Sequence, residues 1–251
     1  MKSRTLRRIA CSALLLSTLG LSACGSQDDD QTLTVLAAAS LTDSFSDLAD
    51  AFEQDHPGVQ VELVFGSSGT LADQVLEGGA ADVLATADTA TMERAAEAVQ
   101  GESQIFATNT MVIVVPRDNP AGISALEDLD DPDVDYVLCV DTAPCGAIGA
   151  EIIADGALTH EPASLEIDVK AVLARVTSGE VDAGLVYRTD AVAAGEDVTG
   201  IELPADLVVP NDYPIAVLEE AADSDLADQF VTLVLSSRGQ EVLAGAGFGA
   251  P

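Results

Sequence analysis

The chain has 251 residues, 48% of them hydrophobic, with 43 acidic residues against 10 basic ones and a formal net charge of −33. So acidic a surface argues against nucleic acid and against electrostatic docking on anionic lipid, and it cannot draw anions in from a distance. Any anion site here has to work through short-range hydrogen bonds, which salt leaves mostly intact.

The first segment is a targeting signal. Lys2, Arg4, Arg7 and Arg8 form a basic region, and residues 9–21 are apolar but too short to span a bilayer before polar sequence follows. Leu21-Ser22-Ala23-Cys24 resembles a bacterial lipobox. That resemblance implies removal of residues 1–23 as a lipoprotein signal peptide and lipidation of Cys24, whose acyl chains supply about 0.8 kcal/mol of membrane affinity per buried methylene. The alternative, a core cysteine in an N-terminal helix, does not suit the basic flank or the polar run of residues 26–31. Residues 24–31 read as a tether, and the protein is expected to be exported and held by lipid on the outer face of the cytoplasmic membrane. Loss of residues 1–23 removes four basic residues and leaves Lys170 as the single lysine.

An apolar strand over residues 35–39 then delivers Ser40 to a helical pattern carried by Leu41, Phe45, Leu48, Ala49 and Phe52, and Ser40 with Asp43 fits a capping box. The device repeats: the alternating stretch 61–65 runs into Gly66-Ser67-Ser68-Gly69 and a helix through Leu71, Val75 and Leu76. Helix starts offer unpaired N–H groups to an anion, and Gly66 and Gly69 let a ligand approach the backbone. Each serine alone reads equally well as an ordinary N-cap, and each glycine as part of a tight turn.

Further on the pattern predicts strands over 81–86, Met111–Pro116, 136–140 and Ala183–Tyr187. Helices are predicted over 89–99, 146–158 and 168–177, through Leu226, Phe230, Leu233 and Val234, and over 237–243. Alternating strand and helix marks an α/β protein with mainly parallel sheets, and this length suits two lobes. Cys11 leaves with the signal and Cys24 carries the lipid, so Cys139 and Cys145 remain. In an oxidising compartment they are expected to form a disulfide, worth roughly 2 kcal/mol at most across so short a loop, which fixes the turn over 141–144. Zinc is the alternative, and two cysteines without a neighbouring histidine suit it poorly. His56 and His160 both read as loop residues.

Several stretches together resemble the molybdate-binding proteins of ABC transporters, which have the class II periplasmic-binding-protein fold. They are Ala37-Ala38-Ala39-Ser40-Leu41-Thr42, Gly66-Ser67-Ser68-Gly69-Thr70-Leu71, Ala81-Asp82-Val83-Leu84-Ala85-Thr86-Ala87-Asp88, Pro144-Cys145-Gly146, Asp168-Val169 and Gly184-Leu185-Val186-Tyr187-Arg188-Thr189-Asp190-Ala191. The resemblance spans residues 32–249 and implies an α/β fold of two lobes, each a mainly parallel sheet flanked by helices, with the ligand in the cleft between them. It places lobe 1 at 32–111 and 213–251 and lobe 2 at 112–212. It implies an oxyanion, molybdate or tungstate, held by Ser40, Ser68 and Tyr187 through hydroxyls and by Cys145 and Val169 through backbone N–H groups, with no direct cation ligand and no cofactor. A membrane permease is the implied partner, membrane contact is through the lipid alone, and the protein is expected to be a monomer that opens without ligand. Two departures stand out: Gly69 occupies a place where relatives often have serine, and the Cys139–Cys145 pair is an addition.

Read from the residues alone, Cys145 is half of a disulfide, Val169 is apolar on a helix's first turn, Tyr187 is a packed core tyrosine, and Arg188 faces solvent or pairs with a carboxylate. Phosphate near neutral pH carries a proton and wants an acceptor, whereas molybdate, tungstate and sulfate want donors only. The nearest carboxylate to the five donors is Asp43, assigned to the helix cap, so discrimination between sulfate and the larger molybdate falls to cavity size. Sulfate or another small oxyanion is the alternative ligand. An enzyme is disfavoured because neither serine lies in a Gly-x-Ser-x-Gly elbow and no serine, histidine and carboxylate set suggests itself. The effector domain of a transcription regulator is disfavoured by the export signal and the missing DNA-binding unit.

Overall fold

The computed structural model describes residues 31–251. The signal peptide, Cys24 and the tether lie outside the described residues, except Gln31, which opens the first strand. One five-stranded sheet contains β1 (Gln31–Ala38), β2 (Val59–Gly66), β3 (Val83–Ala85), β4 (Gln104–Asn109) and, from near the C-terminus, β10 (Asn211–Val217), in the order β2-β1-β3-β10-β4. The other holds β5 (Met111–Pro116), β6 (Tyr136–Cys139), β7 (Ser164–Glu166), β8 (Ala183–Tyr187) and β9 (Val198–Ile201), in the order β7-β6-β8-β5-β9. The chain passes from the first sheet to the second between Asn109 and Met111 and returns between Ile201 and Asn211.

The sheets are mixed rather than mainly parallel. In each, two pairings are parallel, β1 with β2 and β3, and β6 with β7 and β8; the other two are antiparallel. Parallel pairing requires a long crossover between strands. The strands at the first passage, β4 and β5, are joined through Thr110 alone, and they enter their sheets antiparallel to their neighbours.

Helices α1 (Thr42–Asp55), α2 (Ser68–Leu76), α3 (Thr89–Arg94), α7 (Ser224–Leu235) and α8 (Ser237–Gly245) belong with the first sheet; α4 (Pro144–Asp155), α5 (Val169–Thr177) and α6 (Arg188–Ala194) belong with the second. The apolar face of α1 read from the sequence buries Phe45, Leu48 and Phe52, and Phe230 of α7 meets Phe45 and Phe52 edge-on at 6.0 and 5.4 Å. Each such ring removed from water contributes about 1.5–3 kcal/mol. The helix expected over 89–99 stops at Arg94 and resumes as a single 3-10 turn at Ala96–Ala98. Among the described residues no helix is long and apolar enough to cross a membrane.

Candidate functional site: a cavity between the lobes

Strand register builds the cleft. β1 and β2 run parallel with Ala38 opposite Gly66, so the residues that follow each strand emerge side by side at the carboxyl end. In the other sheet Cys139 lies opposite Glu166, and β8, parallel to β6, ends at Tyr187. The two carboxyl edges face one another across a cavity of about 20 Å³ lined by Ser40 and Ser68 from one lobe and Cys145, Val169 and Tyr187 from the other. All five residues expected at the site therefore meet there. Sites for organic ligands run to several hundred cubic ångströms, so this cavity suits a compact ion.

Its lining is a set of donors. Ser68 is the first residue of α2, and its Oγ accepts from the Ala87 N–H at 2.9 Å, which leaves its own proton to give elsewhere. Cys145 lies in the first turn of α4, where Pro144 occupies an opening position that needs no N–H, and Val169 opens α5. First-turn N–H groups have no partner within their helix and carry the positive end of its dipole. Tyr187 is buried, its hydroxyl has no partner at hydrogen-bond geometry among the described residues, and burial pushes its ionisation well above the usual phenol range, so it stays a neutral donor. No lysine or arginine lines the cavity.

Two expectations are corrected. Ser40 caps nothing: the chain turns at Ala39–Leu41 as a 3-10 helix that runs into α1, no side chain caps α1, and Ser40 Oγ lies 2.9 Å from the Tyr213 hydroxyl. The capping box fails because the helical path begins before the serine. Asp43 accordingly does not cap; it accepts from Lys170 Nζ at 3.0 Å, across the cleft. The carboxylate nearest the donors is Asp168, on the cavity wall, and its Oδ1 caps α5 by accepting the Ala171 N–H at 2.9 Å. Arg188 faces away and donates to both carboxylate oxygens of Glu202. The disulfide joins Cys139 at the end of β6 to Cys145 in α4, Cα atoms 5.8 Å apart.

Behind the cavity lies a charged group that the sequence did not single out. Asp190, in the first turn of α6, is completely buried; among the described residues neither carboxylate oxygen has a partner at good hydrogen-bond geometry, and Lys170 Nζ at 3.4 Å and the Tyr187 backbone are the groups that bear on it. Burial raises its carboxyl to about 6, against the pull of Lys170, with Asp43 adding to the rise. A carboxyl raised above its unfolded value favours the fold when protonated. That contribution is complete below pH ~4, is lost as pH rises to about 6 and is constant above. The stability of Asp190→Asn relative to wild type is therefore expected to grow between pH 4 and 6, by up to about 3 kcal/mol at ~1.4 kcal/mol per pKa unit, and then level off. Urea unfolding across that range checks it, and parallel profiles for the two proteins would refute it. Tyr213, which meets Ser40, and Asn109, which meets Tyr213, were also missed. Tyr213 precedes Pro214 at a bulge in β10, where the sequence carries no strand pattern.

Two α/β lobes that close on a small donor-lined cavity define a binding protein for a compact anionic solute. Residues 33–249 match the model of the bacterial extracellular solute-binding proteins. The molybdate-binding protein ModA of Mycobacterium tuberculosis is 38% identical over 252 residues, covering 96% of each chain. The periplasmic molybdate-binding protein of Azotobacter vinelandii superposes with a TM-score of 0.79 at 19% identity, over 87% of this chain and 99% of that one. The sulfate-binding protein SubI of Mycobacterium tuberculosis gives 0.77 at 22% identity, over 87% and 86%. The chain belongs to the bacterial extracellular solute-binding family and, within it, to the molybdate-binding proteins.

Proposed function

We propose that this protein captures molybdate, and with it tungstate, in the interlobe cavity and delivers the ion to an ABC permease, acting outside the cell while tethered by lipid on Cys24. The Tyr187 hydroxyl carries the reading: a buried phenol with no hydrogen-bond partner among the described residues, beside a cavity with two serine hydroxyls and the first turns of α4 and α5, asks for an acceptor from outside. A tetrahedral oxyanion without protons answers every one of these donors. Kinship with molybdate-binding proteins supports molybdate over sulfate, while the likeness to the sulfate-binding structure reflects the fold alone. Donors fixed at helix starts cannot close fully on the smaller sulfate.

The test is calorimetric titration of the purified protein with molybdate, tungstate, sulfate and phosphate, alongside Tyr187→Phe. Wild type should bind one molybdate or tungstate with sulfate at least a hundredfold weaker. Tyr187→Phe should lose affinity tenfold or more, since a hydrogen bond to a charged group is worth about 1.5–3 kcal/mol. Its unliganded stability should hold or rise, because only an unpartnered hydroxyl is removed. Strongest binding by sulfate would change the ligand, and no binding by any of the four would end the reading.

A further inference from the structure

Asn109 is the last residue of β4, at the first passage between the lobes, and it is buried. The Thr110 N–H donates to its Oδ1 at 2.9 Å, and since only the amide oxygen can accept, this bond settles which way the amide faces. Its Nδ2 then points at Thr189 Oγ1, 2.9 Å away on α6, and at the Tyr213 hydroxyl, 3.4 Å away. Nδ2 has two protons, one for each.

Tyr213 is fully buried, and burial keeps it a neutral phenol with a single proton to give. Its oxygen accepts from Asn109. Ser40 Oγ, at 2.9 Å, is the close partner in position to take that proton; the Tyr187 hydroxyl, the other group facing Tyr213, falls outside hydrogen-bond geometry and bears on Tyr213 as a weak donor rather than as an acceptor. Were Ser40 the donor instead, the Tyr213 proton would be buried without an acceptor, a loss of about 1–3 kcal/mol. Ser40 therefore accepts from Tyr213 and turns its own proton into the cavity that it lines.

We propose that Asn109 and Tyr213 are positioning residues that fix the direction of the Ser40 proton, so that Ser40 donates to a bound oxyanion and can turn its remaining lone pair to a protonated one only by aiming its own proton away from the ligand. The proposal rests on the oxyanion reading and adds to it a device that rejects ions by their proton count: hydrogen phosphate and hydrogen arsenate must find an acceptor, and this hydroxyl presents them with a proton instead. The relay also ties the site to the passage between the lobes, because Asn109 holds Thr189 of the other lobe with the same amide group.

The test is the ratio of affinities for molybdate and hydrogen phosphate at pH 8, read by calorimetric competition in wild type, Tyr213→Phe and Asn109→Ala. Freed from Tyr213, Ser40 can accept a proton from the ligand. In Tyr213→Phe molybdate affinity is expected to fall about threefold to tenfold, while hydrogen phosphate holds or gains, which narrows the ratio at least about threefold. Asn109→Ala, which leaves Tyr213 free to accept from Ser40, should narrow it in the same direction and covers the case in which Tyr213→Phe folds poorly. A purely structural role weakens both ligands alike; an unchanged ratio in the folded variants overturns the proposal. If wild type binds no oxyanion, the functional reading fails by itself, and proton NMR of the Tyr213 hydroxyl still decides the relay: a slowly exchanging hydroxyl resonance with contacts to Ser40, lost in Asn109→Ala, is expected, and its absence in wild type refutes the bond order.

Discussion

Gly69→Val is expected to weaken molybdate binding more than a hundredfold while the unliganded protein stays as stable as wild type. Gly69 lies in the first turn of α2 with ordinary helical backbone, so a side chain costs nothing locally. The obstacle lies across the cleft: a Cβ at this position would sit 2.7 Å from the carbonyl oxygen of Thr142, in the loop between β6 and α4 of the other lobe. A backbone carbonyl has no rotamer with which to move aside, so the lobes must part. Parting withdraws Cys145, Val169 and Tyr187 from an ion that Ser40 and Ser68 still hold, and each charge-assisted bond lost is worth about 1.5–3 kcal/mol. Gly69→Ala, which needs a smaller displacement, should lose about tenfold. Small-angle scattering with saturating molybdate should show Gly69→Val less compact than liganded wild type. Wild-type affinity in Gly69→Val would mean that this approach has no part in closure.

What the sequence disclosed and what it hid follow from the range of the interactions involved. β1, β5 and β8 were legible as apolar runs, and α1, α5 and α7 as amphipathic periods, because burial writes itself into local pattern. β9, Val198–Ile201, is short with two exposed residues, and β10 is interrupted by Pro214 at a bulge, so neither carried a pattern although both complete their sheets. Ser40 and Asp43 were assigned to each other because they are three residues apart. Their actual partners, Tyr213 and Lys170, lie 173 and 127 residues away. The five cavity residues were named through resemblance to a family, and the parallel register of β1 with β2 and β6 with β7 gives the physical reason they converge. Asp190 stood inside a matched stretch, yet nothing local indicates a carboxylate that is completely buried beside Lys170.

Gly146→Ala is expected to be the more damaging glycine substitution, because its obstacle is within one lobe and cannot be avoided by opening. A Cβ on Gly146 would lie 1.9 Å from the carbonyl oxygen of Val140, 2.4 Å from its carbon and 2.7 Å from the oxygen of Cys139. All three are backbone atoms at the end of β6, the strand end that the disulfide fastens to Cys145, so loop and helix start have little freedom to separate. The substitution should cost at least about 3 kcal/mol, the range of severe overpacking, and lower Tm by about 10 °C for a protein of this size. The Cys145 N–H moves with the first turn of α4, so whatever protein remains folded should also bind molybdate more weakly. Reduction separates the two effects. In wild type, opening the disulfide removes a constraint worth roughly 2 kcal/mol at most and lowers Tm. In Gly146→Ala it also lets α4 draw back from β6, so Tm should fall less than in wild type, or rise. Equal losses on reduction in the two proteins would show that the disulfide does not press α4 onto the strand end, and the position of the Cys145 donor would then rest on the packing of α4 alone.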